Sequence, residues 1–222
     1  MAVIVVTGGF GALGRAVVRH LADAGHQVAA VDMAPVPTES LAKLTLGGVD
    51  LAEEHVVAEA YRNVVSDLGA IGGVVNIAGG FVWETVADGS LDSFDRMYRM
   101  NLRTAAASCR AAIPLLVEGS AIVNVGAAGA VRPGTGFAAY AASKTGVHAL
   151  TESLAEELKG RGIRVNAVLP TIIDTPTNRA DMPDADTSAW VRPEAAARVI
   201  AFLLSRESGA VTGAAIPLSL AG

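Results

Sequence analysis

Apolar, β-branched runs alternate along the chain with stretches whose apolar residues recur every three or four positions. The runs are Ala2–Thr7, Val28–Val31, Leu44–Val49, Ile71–Ile77, Ser120–Val125, Ile163–Leu169 and Ala210–Leu218. They are continuous rather than alternating, as strands buried on both faces of a parallel sheet must be. Between them lie helical patterns. Leu13, Val17 and Leu21 mark a helix that stops at Gly25, and a second runs from about Glu53 to Leu68. A long helix capped by Ser90 or Asp92 passes through Asn101 towards Pro114, which ends or kinks it. Val147, Leu150, Leu154 and Leu158 carry another to Gly160 and Gly162, and Pro193 opens the last, to Leu204. This alternation predicts an α/β fold: one doubly wound parallel sheet of about seven strands with helices on both faces. Nothing divides the chain, so residues 1–222 are expected to form one domain. The polar stretch of about 175–192 reads as a mobile lid, with Trp190 its one large anchor.

Composition narrows the function. The 222 residues are 51% hydrophobic with 24 glycines, which suits a buried sheet under closely packed helices. A net charge of −5 without a basic cluster argues against a nucleic-acid surface. The lone Cys109 cannot form an intrachain disulfide and reads as a small apolar filler in a reducing compartment. The N-terminal run lacks a basic segment before it and is short, so it is a strand and not a signal peptide, and no run is long enough to span a membrane. A soluble cytoplasmic protein is expected. The four histidines show no metal-ligand spacing, and no G-x-S-x-G elbow is present, so neither a metal site nor a serine hydrolase is assigned.

Chemistry concentrates in a few places. Thr7-Gly8-Gly9-Phe10-Gly11-Ala12-Leu13-Gly14 sits between the first strand and first helix, where G-x-G-x-x-G cradles the pyrophosphate of a dinucleotide. This gives the sheet a Rossmann-type reading. Asp32 closes the second strand, where a carboxylate accepts bonds from the adenosine ribose and repels a 2′-phosphate; it would equally cap a turn. No Arg follows, so NAD(H) is preferred, with NADP(H) a possibility. Small residues at Asn76-Ile77-Ala78-Gly79-Gly80 leave room for a cofactor at the sheet's carboxyl edge. Phe81 and Trp83 follow in a loop that overhangs the site, able to stack on a planar substrate or simply to pack. Tyr140 and Lys144, four apart on a helix, share one face, and a nearby ammonium favours tyrosinate for proton transfer.

In this order and spacing the motifs resemble the short-chain dehydrogenase/reductase family over essentially the whole chain. The resemblance implies that Tyr140 exchanges the substrate proton, that Lys144 lowers its pKa and holds a ribose, and that Asn101 orders a water in the relay. It also implies cofactor contacts by Gly8, Gly9, Phe10, Gly11, Leu13, Gly14, Asp32, Asp50, Leu51, Asn76, Ala78, Gly79, Tyr140, Lys144, Pro170, Ile173 and Thr175, and a homodimer or homotetramer acting on a small molecule. Members place a Ser where this chain has Ala127, and losing such a donor costs about 10²–10³ in rate. That gap, the Gly-Gly-x-Gly-Ala-Leu-Gly turn and the segment from Leu169 to Asp186 look like the dihydropteridine reductase branch. The implied acceptor is a quinonoid ring, conjugated imine or carbonyl, with Ala127, Phe81, Trp83 and Trp190 on the substrate side. A general ketoreductase and a catalytically weak dinucleotide-binding regulator stand as alternatives.

Overall fold

The structure, a computed structural model, describes residues 2–222. Seven parallel strands form one sheet in the order β3-β2-β1-β4-β5-β6-β7. They are β1 (Val3–Thr7), β2 (Gln27–Val31), β3 (Leu44–Leu46), β4 (Ile71–Asn76), β5 (Leu116–Val125), β6 (Arg164–Pro170) and β7 (Ala215–Leu218). The strand order reverses beside β1, between β1 and β4, and this switch point opens a crevice at the carboxyl ends of the strands.

One apolar layer joins the sheet to α2 (Glu54–Leu68), α4 (Thr104–Ala112) and α5 (Ala138–Leu158). The opposite layer joins it to α1 (Ala12–Asp23) and α7 (Pro193–Leu204). β1 is buried along its whole length and β4 at all but Gly72, as their unbroken apolar runs require. Among the described residues no helix is long and apolar enough to cross a membrane.

Several expected boundaries move. β3 stops at Leu46, because Gly47 and Gly48 follow and Gly48 takes a positive φ of 71°. β7 begins only at Ala215, after Gly213 at φ 72°, and its Pro217 is tolerated on an edge strand. β5 begins earlier, at Leu116, and its pairing with β4 slips between Ile71 and Gly73. The lid stretch contains a helix, α6 (Pro176–Asp181), capped by Thr175 accepting from the Asn178 N–H and braced by Arg179 on Asp174 at 2.6 Å.

The long helix expected through Asn101 is interrupted. After α3 (Leu91–Met97), capped by Ser90, residues Tyr98–Arg103 form a π-helical segment before α4 resumes. Such bulges often mark functional positions. Here the segment brings the Asn101 side chain inward, where it accepts from the Gly80 N–H (2.9 Å) and donates to the Gly80 carbonyl (3.1 Å) and to Ser143 Oγ (3.0 Å).

Candidate active site

A cleft of about 720 Å³ lies over the switch point. Its walls are the glycine turn, Asp32 to Ala34 beyond β2, Val49 to Ala52 beyond β3, Ile77 to Gly79 beyond β4, Arg99, Met100 and Thr104, and Thr175 and Thr177 on the lid. The glycines are needed for their missing side chains. A β-carbon at Gly8 would sit 2.7 Å from the Ala78 nitrogen, at a φ of 65° that L-residues avoid, and one at Gly14 would collide with the Gly8 carbonyl. Phe10 and Leu13 line the cleft while being buried with the core of the α1 side.

Asp32 caps the turn, the second of the roles its position suggests. It lines the cleft, and its carboxylate accepts from the Phe10 and Ala34 N–H groups at 3.0 Å each. Asp50 accepts from the Ala52 N–H and, at 2.8 Å, from Arg99, which also bonds Glu53. Arg99 therefore ties the π segment to the β3–α2 loop across one end of the cleft. It is a cleft residue that the sequence offered no motif to find.

Gly79 joins this cleft to the reactive pair, since a β-carbon there would overlap Asn101 Oδ1 and lie 3.3 Å from Lys144 Nζ. Lys144 is buried on α5 and donates to the Val125 carbonyl at 2.9 Å. Burial lowers its pKa to about 8 and raises that of Tyr140 to about 12. The tyrosinate expected from the spacing is thus opposed here, because removal from water disfavours both charged forms and the ammonium turns to a carbonyl. Ala127 is buried with Ala130 and Ala141 beside Phe137 and Tyr140. The Phe81 ring meets Tyr140 edge-on, with centroids 4.9 Å apart at 84°.

Four expected contacts take other places. Asn76 is buried in a directional chain: Tyr61 and Ser108 are 2.5 Å apart, Ser108 donates to Asn76 Oδ1, Asn76 to Asn124 and Asn124 to Thr151. Its side chain is therefore committed to tying helices to the sheet and not free for a cofactor. Trp190 is 5% exposed, so it anchors the lid and offers no face to a substrate. Trp83 stays at the rim, where its ring covers Gly136. Pro170 is buried at the end of β6, and Ile173 bridges Val191; neither lines the cleft, whereas Thr175 does. Among the described residues no group of three or more His, Cys, Asp or Glu side chains gathers to hold a metal.

A parallel sheet with a glycine-cradled cleft beside a half-buried Tyr140 and a buried Lys144 defines a dinucleotide-dependent oxidoreductase. A family model described as "Enoyl-(Acyl carrier protein) reductase" matches residues 10–219. The chain is 32% identical to "Carbonyl reductase family member 4" of Danio rerio over 203 residues, 88% of this chain and 81% of that protein. It is 32% identical to "4-formylbenzenesulfonate dehydrogenase TsaC1/TsaC2" of Comamonas testosteroni over 235 residues, 95% and 93% of the two. A short-chain oxidoreductase structure from Pseudomonas aeruginosa PAO1, described as containing an atypical catalytic center, superimposes with a TM-score of 0.90 at 26% identity, covering 100% of this chain and 96% of that one. The chain belongs to the short-chain dehydrogenase/reductase family and is an NAD(P)-dependent oxidoreductase. Proteins of this family act on small molecules and are typically oligomeric.

Proposed function

We propose that this protein is an NAD(H)-preferring reductase whose acceptor is a quinonoid ring, a conjugated imine or a conjugated carbonyl, similar to the substrates of dihydropteridine reductases. The observation that carries this reading is Ala127. A methyl stands beside Tyr140 where a second hydrogen-bond donor would polarise a plain ketone. An electron-poor conjugated acceptor needs less polarisation, so one donor suffices.

The cofactor supplies hydride when bound. The glycine turn, Asp32, Asp50, Leu51, Ala78, Gly79 and Thr175 would hold it, and all of them line the cleft except Gly9, buried beneath the turn. Asp32 would meet a 2′-phosphate with like charge, and Met33 beside it offers no cation, which supports NAD(H) over NADP(H). Tyr140, neutral at physiological pH, holds the proton that the acceptor nitrogen or oxygen would take on reduction. The buried Lys144 ammonium then balances the tyrosinate, and Asn101 holds the Gly80 turn and Ser143 in register beside it.

The relatives' names favour a second reading, a general ketoreductase. Against an acyl-carrier substrate, the segment after Phe81 carries Glu84, Asp88, Asp92 and Asp95, which would repel an acidic carrier. Ala127→Ser separates the two readings. It should raise activity on simple ketones, by up to about 10²-fold, and leave quinonoid dihydropterin reduction unchanged or lower. A wild type that reduces plain ketones briskly and ignores dihydropterin would favour the ketoreductase.

A further inference from the structure

The substrate side of Tyr140 is walled by rings. Phe81 lies 5.2 Å from Phe137 at 56°, and Phe137 lies 6.1 Å from Tyr140 at 77°. With the Phe81–Tyr140 contact these close a three-ring cluster floored by Ala127, Ala130 and Ala141. The cluster bridges two loops, and a separate strap holds them together. The Glu84 N–H donates to the Gly136 carbonyl at 3.0 Å, and the Trp83 indole covers Gly136, whose φ of 78° admits no side chain.

Two features of this wall point to a ligand. Phe81 meets Tyr140 by its ring edge yet remains 51% exposed, so much of its surface is left without a partner inside the protein. Two hydroxyls on the same helix as Tyr140 are also committed elsewhere. Ser143 donates to the Tyr140 carbonyl, and Thr145 donates to the Ala130 carbonyl. A substrate against this wall meets the Tyr140 hydroxyl beside ring carbon and alanine methyls. An aliphatic chain would gain only burial there, whereas a flat ring also gains stacked or edge-on geometry with Phe81 and Phe137.

We propose that Phe81 and Phe137 are specificity-determining residues that select acceptors whose reacting C=N or C=O lies in, or is attached directly to, a flat ring. This rests on the proposed reductase reading and narrows its substrate class. The ring packs against Phe81 and Phe137 while its reacting heteroatom reaches the Tyr140 hydroxyl.

Benzaldehyde and cyclohexanecarbaldehyde provide the test, being alike in size but flat and puckered respectively. Wild type should favour benzaldehyde in kcat/KM by roughly 2- to 10-fold, the range that ring–ring geometry adds to burial. Phe81→Leu and Phe137→Leu should each erode that preference through a higher KM for benzaldehyde, with cyclohexanecarbaldehyde kinetics and NADH affinity little changed. An equal fall on both aldehydes would show that the rings only prop Tyr140, and a preference surviving both substitutions would also overturn the assignment. A second readout does not need turnover. Benzamide, a flat unreactive ligand, should quench Trp83 emission in wild type and much less in Phe81→Leu, while cyclohexanecarboxamide quenches neither. If NADH is consumed neither with the aldehydes nor with a quinonoid dihydropterin, the reductase reading fails, and the ring wall then stands or falls on benzamide binding alone.

Discussion

Lys144 enters the apolar interior with one hydrogen bond, to the Val125 carbonyl, and its depressed pKa of about 8 has a consequence for stability. Unfolded, the group titrates near 10.5. Between about pH 8 and 10.5 the unfolded chain binds more protons at this site, so its contribution to stability rises with pH there and is unfavourable below. Lys144→Met, which keeps the bulk without the charge, should therefore melt at a higher temperature than wild type at pH 7. That advantage should shrink as pH rises from 8 to 10, while turnover is lost. A variant less stable at pH 7 would show that the Val125 bond outweighs the burial of charge. At this scale the sequence was informative about identity and silent about environment. Tyr140 and Lys144 could be paired by spacing alone, but the raised phenol pKa comes from burial, which depends on how the surrounding loops fold and carries no sequence motif. Arg99 was missed for the same reason, since its partners Asp50 and Glu53 lie 49 and 46 residues away.

At the scale of elements, long periodic stretches were legible and interruptions were not. The buried strands β1, β2, β4 and β6 and the helices α1, α2, α5 and α7 follow from apolar runs and caps. The π segment at Asn101 does not, because it is imposed by tertiary bonds to Gly80 and Ser143 rather than by local propensity. The polar chain from Tyr61 to Thr151 was equally hidden, since its members lie on five separate elements and none carries a motif. Its middle should matter more than its end. Asn76→Ala takes away the acceptor of the Ser108 hydroxyl and the amide donor to the Asn124 carboxamide oxygen, both buried, at about 1–3 kcal/mol per group. Tyr61→Phe removes only a terminal donor and should cost less in urea unfolding. Equal losses would mean the chain does not act as one connected unit.

For the whole molecule, the strand order places three things on one edge of the sheet: a glycine cradle beyond β1, an acid beyond β2 and a Tyr–Lys pair beyond β5. That convergence was readable from motif order, because in a parallel sheet every strand's carboxyl end faces the same side. The size of the cleft and the ring wall beside it were not, since they depend on how the loops after β4 and β5 fold against each other. The central claim is that this edge binds NADH next to a neutral tyrosine acid. Initial rates of oxidation of NADH and of NADPH, with a quinonoid dihydropterin acceptor, should be measured for wild type and Tyr140→Phe, with NADH affinity titrated alongside. The account predicts a higher wild-type kcat/KM with NADH than with NADPH, and loss of most turnover in Tyr140→Phe at nearly unchanged NADH affinity. Undiminished turnover by Tyr140→Phe would contradict it.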